Sequence, residues 1–122
     1  MVQFRTLVAD VQRQARIPAP DLAIALLRAF LTTLAERLQS RDAFALSRRL
    51  PKELATYLLS PPRAHGETFD AEQFVFRVAQ RSKHSEDAVR RLAPVIGALI
   101  VSTHPPELRE KIPQDIRALL LL

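Results

Sequence analysis

The chain reads Leu46-Ser47-Arg48-Arg49-Leu50-Pro51-Lys52-Glu53-Leu54 near its middle, and the pattern returns as Leu108-Arg109-Glu110-Lys111-Ile112-Pro113-Gln114-Asp115-Ile116. In both copies an aliphatic residue precedes proline, and an acid and a second aliphatic residue follow it. Proline suits the first turn of an α-helix because the N–H that it lacks has no intrahelical partner there. Each copy therefore predicts a corner where one short helix ends and the next begins without a loop. We expect Leu50 and Ile112 to be buried at these corners.

Residue composition indicates a single all-α domain over residues 1–122. Hydrophobic residues make up 48% of the chain, which is enough to form a core. Because the chain has only two glycines and little alternation of apolar with polar residues, β-strands have weak support. Six phenylalanines, one tyrosine and no tryptophan mean that the core consists mainly of aliphatic side chains.

Apolar spacing divides the chain into about eight helices, arranged as two related four-helix halves. The halves are residues 1–59 and 68–122, and the proline-rich linker 60–67 joins them. The aligned pairs, at offsets that fall from 70 to 65 to 62, are Phe4 with Phe74, Ala23 with Ala88, and Leu50 with Ile112. Since a half of about 60 residues buries little surface alone, we expect both halves to share one core in a compact bundle.

Several local signals predict where helices begin. Ser40 and Ser85 each precede a helical pattern, and both are predicted to be N-caps. Asp70 and Gln73 resemble a capping box, in which the first side chain accepts a hydrogen bond from a backbone N–H three residues later.

Two long helices show the broadest apolar stripes. Leu22 belongs to the stripe predicted within residues 22–38, whereas Glu36 lies off that stripe. In the second long helix, Pro94 predicts a kink rather than a break. Gly97 is unfavourable in a helix interior and therefore predicts the close approach of another helix.

The order of these patterns resembles the bacterial domain-of-unknown-function 2267 family over nearly the whole chain. The residues that carry the resemblance are Phe4…Val8, Ala23…Leu34, Glu36-Arg37-Leu38, Leu50-Pro51, Phe69, Phe74-Val75-Phe76-Arg77-Val78-Ala79 and Ile112-Pro113. The resemblance implies an all-helical bacterial domain in the cytosol, and it assigns no catalytic or binding residue. The chain departs from the usual family pattern at Pro94 and at Ser102-Thr103-His104-Pro105-Pro106.

Few patterns in the chain support catalysis or metal binding. His65, His84 and His104 lie in predicted loops or helix starts without the i, i+4 spacing of a helical metal site, so we interpret them as solvent-exposed. The sequence has no cysteine, no Gly-x-Ser-x-Gly motif and too few glycines for a phosphate-binding loop. We therefore predict a non-enzymatic protein with no catalytic residue, metal or cofactor.

Composition also bears on cellular location. The absence of cysteine fits a reducing compartment. The longest apolar run, residues 92–101, is about half the length of a membrane span. We therefore expect a cytoplasmic protein without a membrane span.

Basic residues outnumber acidic ones, which gives a formal charge of +5 and a pI of about 10.7. Seven of them form a possible basic face for a partner: Arg48, Arg49, Lys52, Arg77, Arg81, Arg90 and Arg91. Arginines beside a helix–corner–helix also fit a DNA-binding helix-turn-helix. Against that interpretation, both corner helices carry an acid in the first turn, where a recognition helix presents hydrogen-bond donors.

Two functional hypotheses follow from these patterns. The first is a helical adaptor or regulatory module that binds a protein partner or a second copy of itself. The alternative is a nucleic-acid-associated protein that uses its arginine-rich face without sequence-specific base readout.

Overall fold

The computed structural model describes residues 3–122, which form eight α-helices and contain no strand. The helices are α1 (Phe4–Ala15), α2 (Pro20–Arg37), α3 (Ser40–Ser47), α4 (Lys52–Leu58), α5 (Ala71–Ser82), α6 (Glu86–Thr103), α7 (Pro106–Arg109) and α8 (Gln114–Leu119). The predicted all-α fold is confirmed. Met1 and Val2, which we assigned to the first half, lie outside the described residues.

The two halves have matching helices, but the predicted register of their alignment is wrong. A residue in the left-handed conformation ends both α1 and α5, at Arg16 (φ 59°) and Lys83 (φ 61°), which are 67 positions apart. The same offset pairs the buried residues of α1 with those of α5: Leu7 with Phe74, Val8 with Val75, and Val11 with Val78. An offset of 66 pairs the buried residues of α2 with those of α6: Ala23 with Val89, Leu26 with Leu92, Phe30 with Ile96, and Leu34 with Ile100.

The error has a geometric cause. A slip of three residues, such as pairing Phe4 instead of Leu7 with Phe74, rotates a helix by only about 60° at 3.6 residues per turn. Apolar periodicity therefore fits both registers nearly equally well. The offset of 62 that we predicted for the corners agrees with the structure, since Leu54 and Leu58 correspond to Ile116 and Leu120, all of them buried.

Helices from the two halves pack directly on each other. α5 lies against α2, and α1 lies against α6, in equivalent pairings. The Phe30 ring of α2 meets the Phe74 ring of α5 edge to face, with 5.0 Å between centroids. Buried apolar residues from both halves form one continuous hydrophobic cluster, as the shared-core prediction requires.

The two corners differ from the prediction in two respects. Pro51 (ψ 150°) and Pro113 (ψ 145°) are extended and lie one residue before α4 and α8. Proline fixes φ but leaves ψ free, so a short turn precedes each helix instead of an immediate junction. Ile112 is 1% exposed, as predicted, whereas Leu50 is only half-buried. Both side chains line a small apolar cavity.

The sixth helix is continuous through Pro94, in agreement with the prediction that this proline does not split it. Gly97 is buried where the chain passes the end of α8. A Cβ atom at this position would lie 1.9 Å from the carbonyl oxygen of Leu120. Because that neighbour is backbone, only glycine fits, and the predicted close approach is confirmed.

The predictions for helix starts are correct at two of three positions. The side chain of Asp70 accepts a hydrogen bond from the Gln73 N–H (2.8 Å), and that of Ser85 accepts one from the Ala88 N–H (3.1 Å). Ser40 is instead the first residue of α3, and the preceding Gln39 makes no capping bond through its side chain. Leu22 is 43% exposed because it lies in the first turn of α2, before that helix enters the core.

Candidate interaction groove between the first and sixth helices

A buried carboxylate lies between α2 and α5. Glu36 has no exposed surface, although the sequence placed it off the apolar stripe. Arg81 binds both of its carboxylate oxygens, at 2.7 and 3.2 Å, and also donates to the Thr33 hydroxyl at 2.9 Å. Arg77 adds a longer bond of 3.4 Å. The prediction for Glu36 is wrong because two arginines from another helix compensate for the loss of hydration of its charge.

The linker covers the end of this polar cluster. The N–H of Glu67 donates to the Glu36 carbonyl at 2.7 Å, and that of Gly66 donates to the Leu38 carbonyl at 2.8 Å. The His65 ring lies 2.8 Å from the Ala35 carbonyl through Nδ1. The last carbonyls of a helix lack intrahelical partners, so the N–H groups of Gly66 and Glu67 satisfy carbonyls that α2 leaves unpaired. His65 adds a second partner to the Ala35 carbonyl, which also accepts from the Leu38 N–H.

Two further contacts hold the chain that follows the linker. The Arg77 guanidinium lies 3.8 Å from the centroid of the Phe69 ring. Arg37 donates to the Phe69 carbonyl and forms two bonds of 2.9 Å with the carboxylate of Asp115. These bonds from Arg37 favour the ionised acid and hold the pKa of Asp115 below its usual value. We call this linker-bound surface of α2 and α5 the covered face.

The equivalent surface of α1 and α6 is an open groove of about 950 Å³. It is lined by Gln3, Thr6, Leu7, Asp10, Arg13, Gln14, Arg91, Pro94, Val95, Ala98, Leu99 and Ser102. At the offsets of 67 and 66, the four residues of the buried polar cluster correspond to four that line the groove: Arg77 to Asp10, Arg81 to Gln14, Thr33 to Leu99, and Glu36 to Ser102. The groove therefore has the position of the covered face without its ion pairs or its linker.

Arg109 binds the last carbonyls of α6, as the linker binds the last carbonyls of α2. Its Nε donates to the His104 carbonyl at 3.0 Å, and Nη2 donates to the Val101 carbonyl at 3.4 Å. At the offset of 66, these carbonyls are the counterparts of those of Leu38 and Ala35, which the linker binds on α2. One arginine therefore caps the end of α6 and leaves the groove itself uncovered.

The structure does not bring the seven predicted basic residues onto one surface. Arg77 and Arg81 bind Glu36, so their charges are compensated within the fold. Arg91 lines the groove. Arg90, the residue before Arg91 in α6, is exposed.

The remaining three lie at the first corner. Arg48 and Arg49 border a separate shallow surface with the exposed ring of Phe44, which is 5.8 Å from the Arg48 guanidinium. Lys52 is exposed in the first turn of α4. The predicted face is therefore divided among the ion pairs of Glu36, the α1–α6 groove and the first corner.

The prediction that the histidines are solvent-exposed is wrong. His65 and His84 are half-buried, and His104 is 3% exposed. The His104 Nε2 lies 2.7 Å from the Leu46 carbonyl, and Nδ1 lies 2.8 Å from the Thr103 hydroxyl. His104 was misassigned because a residue between helices is buried only when another element, here α3, packs over it. Within residues 3–122, no three histidine or acidic side chains form a group that could hold a metal ion.

Burial of His104 predicts a pH-dependent loss of stability. Desolvation lowers its pKa below the usual value, and the charges of Arg49 and Arg109 act in the same direction. The unfolded chain therefore binds a proton near pH 6.5 that the folded chain resists, so stability falls as the pH drops below about 6.5. We expect wild type to lose more unfolding free energy between pH 7 and pH 5 than His104→Gln, measured by urea denaturation. Parallel pH profiles would contradict this assignment.

No single helix among residues 3–122 is long and apolar enough to cross a membrane, although the bent pair of α1 and α2 passes by length and composition alone.

Comparisons with known proteins identify a family. Searches for similar curated proteins and for similar solved structures gave no match. A family model described as "uncharacterized conserved protein (DUF2267)" matches residues 4–119. Because this match covers nearly the whole chain and all eight helices, the protein belongs to the DUF2267 family.

Proposed function

We propose that this protein is a non-enzymatic helical interaction module that binds a protein partner through the groove between α1 and α6. One observation carries the proposal: the groove is open, whereas on the equivalent face of α2 and α5 the ion pairs of Glu36 join the two helices and the linker closes one end. The linker binds at the α2–α5 face, and the α1–α6 groove has no such segment from the chain itself. The groove is therefore suited to bind a segment of another protein.

The composition of the groove supports a protein partner. Leu7 and Leu99 are buried at its floor, and Pro94 and Ala98 are exposed above them. Polar and charged side chains such as Arg91 surround this apolar strip. An apolar centre with a polar rim that includes arginine is typical of protein–protein interfaces. The same surface suits a second copy of the chain.

The alternative, nucleic-acid binding through an arginine-rich face, has less support. The ion pairs of Arg77 and Arg81 with Glu36 leave two separate groups, which are Arg48, Arg49 and Lys52 near the first corner and Arg90 with Arg91 on α6. Two or three cations at one place make few phosphate contacts, and such binding weakens strongly as salt rises. The family resemblance and the lack of cysteine support a location in the bacterial cytoplasm.

Two matched variants test the proposal. Ala98→Arg places a bulky cation in the groove, and Ala118→Arg makes the same change at an exposed position of α8. In crosslinking and affinity capture from the native host, we expect a specific protein to be retained by wild type and Ala118→Arg but lost with Ala98→Arg.

Two outcomes would contradict the proposal. One is the same set of captured proteins for both variants. The other is nucleic-acid binding that persists at physiological salt and disappears in Arg48→Ala/Arg49→Ala, which would favour the alternative function.

A further inference from the structure

We infer that two copies of this chain associate as a symmetric dimer, with the basic first corner of each copy against the acidic second corner of the other. The contact surface consists of residues 44–53 and 106–115, and we call it the corner surface. It shares no residue with the α1–α6 groove, so the inference goes beyond the proposed function. Three features carry it: the corners have equivalent backbones, they lie side by side, and their exposed charges are opposite.

The two corners have the same backbone geometry. Arg48, the residue after α3, has φ −66° and ψ −16°, and Glu110, the residue after α7, has φ −66° and ψ −15°. These two residues are 62 positions apart. The extended prolines that follow them, Pro51 and Pro113, have the same separation. The offset of 62 therefore relates the exposed residues of the two corners as well as the buried ones.

Reciprocal contacts show that the corners lie side by side. Lys111 of the second corner is 3.8 Å from the Asp42 carboxylate of α3. At the offset of 62, Arg49 is the counterpart of Lys111. His104 is in turn the counterpart of Asp42, and the charge of Arg49 acts on His104 and lowers its pKa. The residues before the two prolines also line the same small cavity. Because each corner approaches the chain that precedes the other, an approximate twofold axis relates them.

The exposed side chains of the two corners carry opposite charges. The first corner presents the cations Arg48 and Arg49, and the second presents the acids Glu107 and Glu110. All four residues are exposed, and none forms an ion pair within residues 3–122. Since Glu110 is the counterpart of Arg48, equivalent backbones place opposite charges at equivalent positions.

Other charges at the corners do not cancel this difference. Lys111 pairs with Asp42, and Arg109 donates to two carbonyls at the end of α6. Lys52 and Glu53, which begin α4, are both exposed and balance each other in charge. The first corner therefore has a net positive charge and the second a net negative one.

An exposed aromatic ring adds apolar contact area beside the cations. Phe44 is 54% exposed, and its ring centroid lies 5.8 Å from the Arg48 guanidinium. Pro106, the counterpart of Phe44 at the second corner, is exposed as well. Aromatic side chains and arginine are enriched at protein interfaces, where they often supply much of the binding energy.

A second copy of the chain matches both corners at once. A twofold axis that passes between the two copies, across the line joining the corners, sets the first corner of each copy against the second corner of the other. Such a contact is self-complementary and closed, so association ends at the dimer. The formal charge of +5 opposes association of two copies, and we therefore expect a weak, reversible dimer.

Exchanging charges between the corners tests the inference. Arg48→Glu/Arg49→Glu makes both corners acidic, and Glu107→Lys/Glu110→Lys makes both basic. In sedimentation velocity over a concentration series, we expect wild type to dimerise and each variant alone to associate at least about tenfold more weakly. An equimolar mixture of the two variants should regain the dimer, because both corner contacts of a mixed dimer then join opposite charges.

Matched variants outside the corner surface control for net charge. Arg28→Glu/Arg90→Glu has the same formal charge as the first variant, and Glu72→Lys/Glu86→Lys has the same formal charge as the second. We expect both controls to dimerise within about threefold of wild type, since charges far from the contact are screened by salt. Circular dichroism verifies that every variant is folded.

The aromatic ring has its own matched control. Phe44→Ala should weaken the dimer about tenfold, because it removes an exposed ring from the centre of the contact. Phe76→Ala removes a comparably exposed ring from α5 and should leave the dimer unchanged.

The inference is overturned if wild type is monomeric at every concentration, or if the mixed variants dimerise no better than either variant alone. It is also overturned if the charge-matched controls lose the dimer as the corner variants do. A dimer that withstands the corner exchanges but is lost with Ala98→Arg would place self-association in the α1–α6 groove. That result would reject the corner surface and support the proposed function, so the two can fail separately.

Discussion

Arg81→Ala should lower the free energy of unfolding by about 3–5 kcal/mol, because it leaves the carboxylate of Glu36 buried with inadequate compensation. Arg81 supplies the two shortest bonds to Glu36, whereas Arg77 approaches it only to 3.4 Å. Glu36 is fully buried and cannot turn towards water without unpacking α2 from α5. Urea denaturation followed by circular dichroism measures the loss.

Arg13→Ala is the matched control. Arg13 also pairs with an acid, Asp10, but its side chain is 66% exposed, and pairs of this kind contribute about 0.2–1 kcal/mol. Exchanging both Glu36 and Arg81 for methionine should restore much of the stability that Arg81→Ala loses, because no uncompensated charge then remains in the interior. Equal costs for Arg81→Ala and Arg13→Ala would show that the buried pair does not hold the halves together.

Ile112→Ala should cost about 2–5 kcal/mol, since truncating a fully buried side chain removes its contacts and leaves a cavity. The sequence predicted the same cost for Leu50→Ala at the first corner. That expectation changes because Leu50 is half-buried, and we now expect about 1 kcal/mol for it.

Thermal and urea unfolding of both variants test this difference. Pro51→Ala and Pro113→Ala serve as controls at the adjacent positions, where each proline precedes its helix and alanine costs less than about 1 kcal/mol. Equal destabilisation by Leu50→Ala and Ile112→Ala would mean that the two corners are packed alike. A stable Ile112→Ala that no longer binds a partner would instead identify the second corner as a binding surface.

The helical fold was predictable because it depends on information close in sequence. The corners around Pro51 and Pro113 and the caps at Asp70 and Ser85 depend on residues within one turn. What failed depends on contacts between distant elements. Glu36 is buried only because Arg77 and Arg81 approach from α5, and His104 is buried only because α3 packs over it.

The candidate groove was only partly accessible to sequence analysis. Arg91 was predicted to belong to a basic partner-binding face, but Arg77 and Arg81 were grouped with it, although their charges are compensated within the fold. Ser102 was missed. The consecutive prolines 105 and 106 were a usable signal, because they leave the carbonyl of Ser102 without a local donor. The correct repeat register would then have aligned Ser102 with Glu36.

A consequence for the divergence of the two repeats follows from the linker. Two equivalent faces share a single connecting segment, so covalent connectivity alone breaks their symmetry, even if the repeats began with identical side chains. Substitutions at Glu36 or Arg81 then destabilise the fold and are selected against. Substitutions at their counterparts, Ser102 and Gln14, do not carry this cost. Natural selection can therefore adjust the open face to new ligands without endangering the scaffold, which makes duplication a source of adaptability in so small a protein.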